Sequence, residues 1–279
     1  MYVDTSCFDG RAPARLQRAE GRARVAFRLR GGATRLETLF QEGCAKVRLP
    51  RPLVGAPPEA VLINTAGGLT GGDRLATEVE AGPSTAATIT TQACERIYRS
   101  TGDRAEAANL LRVRAGARLA WLPQETILFD GGRLSRRLEA ELDGDAELVA
   151  VEAVLFGRAA MGETVRSGFL HDRWRIRRDG RLIFADDFRV EGDVAARLAA
   201  PAALGGRLAV ATVLYVGAQA EPLLEPARAV IGADGGASAW SGRLVARLAS
   251  ETGLALRRRL EPLLALLLRG RPLPRVWQI

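Results

Sequence analysis

The chain has 279 residues, 47% hydrophobic and 26% charged, with 30 Gly and 13 Pro. These proportions exclude a disordered or collagen-like chain and allow a substantial core without metal or disulfide staples. The formal net charge of +8 is almost all arginine, with Lys46 the single lysine. Such a charge can attract nucleic acid, but aromatics are only 5% and no cluster of them interleaves with the arginines to stack bases. A basic nucleic-acid-binding β protein is therefore the competing class that charge alone supports, and no nucleic-acid partner is expected.

Met1 to Arg30 is studded with arginine and has no apolar signal core, and no stretch approaches the roughly 18 apolar residues of a membrane span. Cys7, Cys44 and Cys94 are odd in number and far apart, which fits neither a disulfide framework nor a close-spaced zinc site. A cytoplasmic, non-membrane protein is expected. No segment reads as a linker, so residues 1–279 are expected to form one domain.

Gly67-Gly68-Leu69-Thr70-Gly71-Gly72-Asp73 lacks the Lys and Ser/Thr that end a phosphate-binding loop. It is a tightly turned segment closed by an acid. Leu110 to Arg114 and Arg118 to Trp121 alternate around Ala115-Gly116 and predict a strand pair. Leu134, Leu138, Ala140 and Leu142 share one side, Asp143-Gly144 supplies a turn, and Ala146 to Leu155 returns as a more apolar strand, which predicts a hairpin. Glu152 inside that apolar run must be paired, protonated or facing water; Arg158 is a candidate partner.

His171, the single histidine, excludes a site of several imidazoles and reads as surface or structural. Trp174 and Ile176 alternate with arginines before Asp179-Gly180, a hairpin signal, and Leu182 and Phe184 follow. Leu208 to Val216 is a long apolar run, and Ala237 to Leu248 alternates again. Turn signals at roughly ten-residue intervals predict an all-β architecture. Two segments break it: Pro222 to Ile231, with Pro226 suited to a first turn, and Leu256 to Leu268, with Pro262 expected near a helix start. Leu260, Leu263, Leu264, Leu267 and Leu268 fall at helical spacing and need an apolar surface, either this chain's own sheet or a partner subunit. Arg257-Arg258-Arg259 reads as a solvated turn, with a docking site as the alternative. Asp73 and Glu125, as two acids, leave a hydrolase formally open.

Three segments together resemble the urease accessory protein UreD (UreH) family: Asn64 to Leu75 (NTAGGLTGGDRL), Thr90 to Ser100 (TTQACERIYRS) and Trp121 to Asp130 (WLPQETILFD). Gly157-Arg158-Ala159-Ala160-Met161-Gly162-Glu163 continues in register, and the likeness runs from about Gly32 to Trp277. Ala66 stands where many members have Pro, Arg96 where many have Lys, and Gly43-Cys44-Ala45 replaces Gly-Pro-Leu, as in an alphaproteobacterial-type variant.

The resemblance implies a mainly β fold of two stacked, mostly antiparallel sheets in a helix-like arrangement with about two α-helices. It further implies a non-enzymatic scaffold that binds the urease apoprotein and UreF, and UreG through UreF, in a dimeric accessory complex. Nickel(II) would pass transiently through an internal polar tunnel, with no tightly bound cofactor and no tight metal ligands. Candidates for that path are Asp73, Thr90, Thr91, Glu125, Asp130, Glu152 and Glu163. Tyr98, Arg99 and Arg158 would support the wall, Arg158 by pairing with Glu152 or Glu163. Leu260, Leu263, Leu264 and Leu267 would meet UreF. Scattered carboxylates, hydroxyls and carbonyls suit a cation that has to leave again.

Overall fold

A computed structural model describes residues 17–52, 55–158 and 161–277. Cys7, the Arg-rich start as far as residue 16, and Ala159-Ala160 lie outside the described residues. In chain order the strands begin with β1 (Glu20–Arg30), β2 (Ala33–Gly43), β3 (Ala45–Arg48), β4 (Glu59–Asn64), β5 (Arg74–Ala81), β6 (Ala86–Thr91) and β7 (Glu95–Ile97). Then come β8 (Ala105–Val113), β9 (Arg118–Leu122), β10 (Thr126–Leu128), β11 (Arg133–Leu142), β12 (Glu147–Phe156), β13 (Gly168–Arg178) and β14 (Arg181–Gly192). Helix α1 (Val194–Ala199), β15 (Ala209–Val216), α2 (Leu224–Ile231), β16 (Gly235–Trp240), β17 (Arg243–Ser250) and α3 (Gly253–Leu268) follow.

The strands form two stacked sheets. The first has the order β14-β13-β11-β8-β5-β1-β2; the second runs β16-β17-β15-β12-β9-β6-β4-β3, with β7 and β10 attached beside β12. The expected mainly β, two-sheet, helix-like arrangement is found, with one correction. Strand direction is mixed, because the stacks at the centre are parallel: β1-β5-β8-β11-β13 in one sheet and β4-β6-β9-β12 in the other. Antiparallel pairs lie toward the margins.

The cause lies in the short turns. Ala115-Gly116 and Asp143-Gly144 do not make hairpins; each sends the chain from the first sheet into the second, so β8 and β9, and β11 and β12, face each other across the core. The corners stack as the strands do. Backbone N–H groups of Arg114, Asp143 and Asp179 donate to Ala81, Val113 and Leu142 in the preceding coil. Asp145 and Asp179 carboxylates accept from Gly116 and Gly144 N–H at 2.6 and 2.8 Å. An aspartate at a corner thus satisfies a donor that a strand ladder would otherwise have used. Asp179-Gly180 does make the expected hairpin, both residues taking positive φ (50° and 76°) between β13 and β14. Gly43, at φ 58°, carries the chain from β2 in one sheet to β3 in the other; a Cβ there would lie 1.9 Å from the Glu20 carbonyl oxygen.

β1, β11 and β13 of the first sheet have one solvated face, hence the legible alternation. β12 and β15 are buried on both faces, and apolar but for Glu147, Glu152 and Thr212, because a second layer covers them. One core, with Phe27, Leu111, Leu138, Trp174 and Leu214, lies between the sheets; another holds Val149, Val151, Tyr215 and Leu244 under the helices. Leu260, Leu263, Leu264 and Leu267 belong to that second core and are fully buried. They cover the chain's own sheet, which corrects their assignment as a partner contact: four leucines contribute about 1.5–3 kcal/mol each when buried, and this sheet already receives them.

Helix α3 begins at Thr252, whose hydroxyl accepts from the Ala255 N–H, and runs through Pro262. Pro262 is therefore interior, and Arg257-Arg258-Arg259 is helical rather than a turn. Pro226 does fall in the first turn of α2, and α1 is a third helix that periodicity did not reveal. Among the described residues no helix is long and apolar enough to cross a membrane.

Candidate functional site

Between the sheets lies a cavity of about 220 Å³, lined from Ala23 and Lys46 at one end to Arg136 and Glu152 at the other. It crosses β1, β5, β8 and β11, three strand spacings or roughly 14 Å. The Asn64–Leu69 loop, the Thr91–Arg96 segment and Pro123-Gln124 also line it. The three resembling motifs therefore converge on one space.

The candidate path residues do not all reach it. Thr91 and Glu152 line the cavity; Asp73, Thr90, Glu125, Asp130 and Glu163 do not. Asp73 pins the glycine loop, its two carboxylate oxygens accepting from Ala19 N–H (2.8 Å) and Thr70 N–H (2.7 Å). Thr90 donates to the Leu122 carbonyl at 2.7 Å, tying β6 to β9. Glu125 is held by Arg257 of α3 at 3.0 Å and accepts from the Cys94 thiol at 3.4 Å. Asp73 and Glu125 are thus committed to separate partners, and the paired carboxylates of a hydrolase are not formed.

Asp130 and Glu163 meet outside the cavity, together with Tyr98, Arg99 and Arg158. Arg99 bonds Asp130 at 2.5 Å, and Arg158 grips Glu163 through two nitrogens at 3.0 Å each. Of the two partners offered for Arg158, Glu163 is the one found. Tyr98 packs edge-on against Phe129 at 5.2 Å, and Arg158 lies 4.6 Å over the same ring. Backbone N–H groups of Ser167 and Arg166, aided by Arg99, hold the Asp130 carboxyl below the usual carboxylate range; bonds from Arg158 do the same for Glu163. This cluster clamps neighbouring loops.

Glu152 pairs instead with Arg136, at 2.5 Å, inside a fully buried group. Arg136 reaches Asp172 through two nitrogens (3.2 and 2.7 Å) and Thr126 at 2.9 Å, while the Trp121 indole N–H donates to Glu152 at 3.0 Å. Burial opposes the Arg136 charge, but Asp172 and Glu152 outweigh it and hold the guanidinium protonated. Burial and the nearby Asp172 charge push the Glu152 carboxyl above its usual range in spite of Arg136. One cation serves two carboxylates here, so the group is not fully neutralised.

Sequence reasoning missed Arg136 and Asp172, yet a signal existed. Arg136 shares the parity of Leu134, Leu138, Ala140 and Leu142, and Asp172 that of Leu170, Trp174 and Ile176; both charges stand where the pattern demands apolar side chains. Glu95 was missed too. It lines the cavity, accepts from Asn64 Nδ2 at 3.0 Å, and burial pushes its carboxyl to about 7. Cys94 beside it is driven to about 11 by burial and the Glu125 charge, so it stays a thiol near neutral pH. His171 sits on the outer face with Nε2 2.7 Å from Asp187, as a surface residue. Among the described residues no three His, Cys, Asp or Glu side chains group to hold a metal ion.

Residues 19–278 match the family model for the UreD urease accessory protein. The chain belongs to that family. It is 54% identical over 269 residues to the urease accessory protein UreD of Rhizobium leguminosarum bv. viciae, covering 96% of this chain and 98% of the relative. The Agrobacterium fabrum UreD is 49% identical, covering 99% and 96%, and a Brucella abortus UreD 1 is 52% identical, covering 95% of each. UreD membership makes this chain an accessory protein in urease maturation rather than the urease itself. The cavity is therefore built from the segments that carried the UreD likeness.

Proposed function

We propose that this chain is a non-enzymatic scaffold that, with UreF and the GTPase UreG, delivers nickel(II) to the urease apoprotein, the ion moving as cargo through the cavity between the sheets. The observation that supports this is the lining: oxygen-bearing side chains of Asn64, Thr77, Thr91, Glu95, Asn109 and Gln124, with no imidazole among them, beside the cations Lys46, Arg96 and Arg136. Oxygen donors bind divalent first-row metals less tightly than imidazole or thiolate sets, and conduction requires sites that release as readily as they bind. A thiol kept protonated, as at Cys94, is not a trap for the ion.

The UreF contact moves, in this proposal, to the outward side of α3, where Leu254, Arg258 and Ala265 are exposed. The accessory complex is dimeric and cytoplasmic, and urease docks on the same scaffold. The test is urease activity and nickel per active site in cells carrying a urease operon with and without this chain. Loss of both, with apo-urease still assembled, is expected; full nickel content without the chain overturns the proposal.

A further inference from the structure

Three strand ends and the end of a helix meet at one corner of the second sheet. β9 begins there at Arg118 and β12 at Glu147, which are register neighbours, while β15 closes on Tyr215-Val216 and α3 gives way to Arg269-Gly270-Arg271. The charge they bring is lopsided. Arg118 lies 3.8 Å from Glu147 Oε2 and Arg269 bonds the same oxygen; Arg118, Glu147 and Arg269 are the charged neighbours that act on Arg271. Three guanidinium groups therefore share one carboxylate. None of these residues lines the cavity between the sheets.

Donors outnumber acceptors in the same way. Arg271 gives its Nε–H to the Leu268 carbonyl at 3.2 Å, as a cation at a helix C-terminus should, but its Nη1 is buried with no hydrogen-bond partner. Tyr215 is fully buried and its hydroxyl is also without one. The Gln219 backbone N–H is turned toward the hydroxyl oxygen, so the group left over is the O–H donor. Gly217 brings hydroxyl and carboxylate together, since a Cβ there would lie 2.5 Å from Tyr215 Oη and 3.1 Å from Glu147 Cγ. Burial and the like charges of Arg118 and Arg269 hold the Arg271 guanidinium below its usual range, against the pull of Glu147. A buried donor left unpaired costs more than a made bond returns, and here two of them stand beside an excess of positive charge. The corner is open at Arg118, whose side chain is 53% exposed, and closed at Tyr215 and Arg271.

We propose that Arg118, Arg269, Arg271 and Tyr215 form an oxyanion site that takes one phosphate group, free or carried on a small molecule. Charge selects phosphate over carboxylate. Three guanidinium groups less one carboxylate leave a net charge of +2. The carbonyl end of α3 takes back about half a charge, and a phosphate at about −1.5 to −2 neutralises the remainder where a carboxylate does not. Guanidinium forks match phosphate oxygens two at a time, and the tyrosine hydroxyl adds a neutral donor from the buried side. Glu147 competes with the ligand for Arg269.

The experiment is calorimetric titration of the purified full-length chain with inorganic phosphate at constant ionic strength, with methyl phosphate and acetate as comparison ligands. Saturable phosphate binding below about 10 mM is expected, with acetate at least about tenfold weaker. Arg271→Met should weaken phosphate binding about tenfold or more. Tyr215→Phe removes a hydroxyl that donates to nothing in the free protein, so Tm in chloride should not fall, yet phosphate binding should weaken about threefold to tenfold. Glu147→Gln releases Arg269 and should tighten binding, a gain that a purely structural ion cluster would not give. Arg28→Gln, on β1 of the other sheet, removes one positive charge and should bind as the wild type does. Arg118→Gln, at the exposed side, replaces Arg271→Met if that variant does not fold. Methyl phosphate bound like phosphate upholds the site for a group carried on a larger molecule, and its exclusion upholds it for the free ion. No saturable binding up to about 10 mM, acetate bound as tightly as phosphate, or wild-type binding by both Arg271→Met and Tyr215→Phe overturns the assignment.

Discussion

Replacing Arg136 by Met is expected to be the most informative single perturbation of the fold. Arg136 is fully buried and serves Glu152 at 2.5 Å, Asp172 at 2.7 Å and Thr126 at 2.9 Å. Met fills much of the side-chain volume, so the cavity term is small and the loss comes from leaving two buried carboxylates without a counter-charge. Breaking a buried pair in this way costs about 3–5 kcal/mol, equivalent to a fall in Tm of the order of 10 °C for a chain of this size.

The sign of the pH dependence is opposite to that of an ordinary paired acid. Burial already holds the Glu152 carboxyl above its unfolded value and Arg136 opposes that rise, so without the guanidinium the folded variant binds more protons than the unfolded chain, and its stability falls as pH rises through that window. The deficit against wild type should therefore be greatest at pH 7.5 and shrink toward pH 5. Urea unfolding at the two pH values measures it. A loss below about 1 kcal/mol at pH 7.5, or an equal loss at both, refutes the view that charge rather than packing holds this group together.

Two further outcomes are expected. With a value near 11, Cys94 should be alkylated by iodoacetamide at pH 7.5 roughly 100-fold more slowly than an ordinary thiol, the rate still climbing at pH 9.5 when followed by site-resolved mass spectrometry; a plateau below pH 9 contradicts this. Leu264→Asp should abolish folded, soluble protein because it sets a carboxylate in the core beneath α3, while Leu254→Asp on the exposed side should change stability by no more than about 0.5 kcal/mol. Wild-type unfolding of Leu264→Asp would contradict the packing described.

How much of this was legible follows from what a strand pattern encodes. Alternation records only that one face is wet, and it did locate β8, β9, β11, β13 and β14 in the sequence. It does not record which neighbour a strand takes. Asp143-Gly144 and Asp179-Gly180 look alike, yet one turns between sheets and the other within a sheet. Both also donate a backbone N–H to the preceding coil, so neither the dipeptide nor that bond tells them apart; only the partner taken by the strand that follows does. The acids illustrate the same limit: Asp73, Asp130 and Glu163 stand out in their motifs, but each is consumed by backbone donors or arginines from elsewhere in the chain. Glu95 stood out less, yet it lines the cavity as Glu152 does.

The stacked corners bear on how such a molecule comes into being. Arg74 pairs with Glu106 and Arg118 with Glu147, so a residue meets its neighbour 32 or 29 positions further along, and each new coil finds its template in the one just completed. Growth of this kind proceeds step by step, as in repeat proteins whose units contact only their neighbours. The β13–β14 hairpin then reverses strand direction and stops the first stack, while β15, entering antiparallel to β12, stops the second. The length of the internal space is thus counted in coils, and adding or deleting one coil would lengthen or shorten it by one strand spacing.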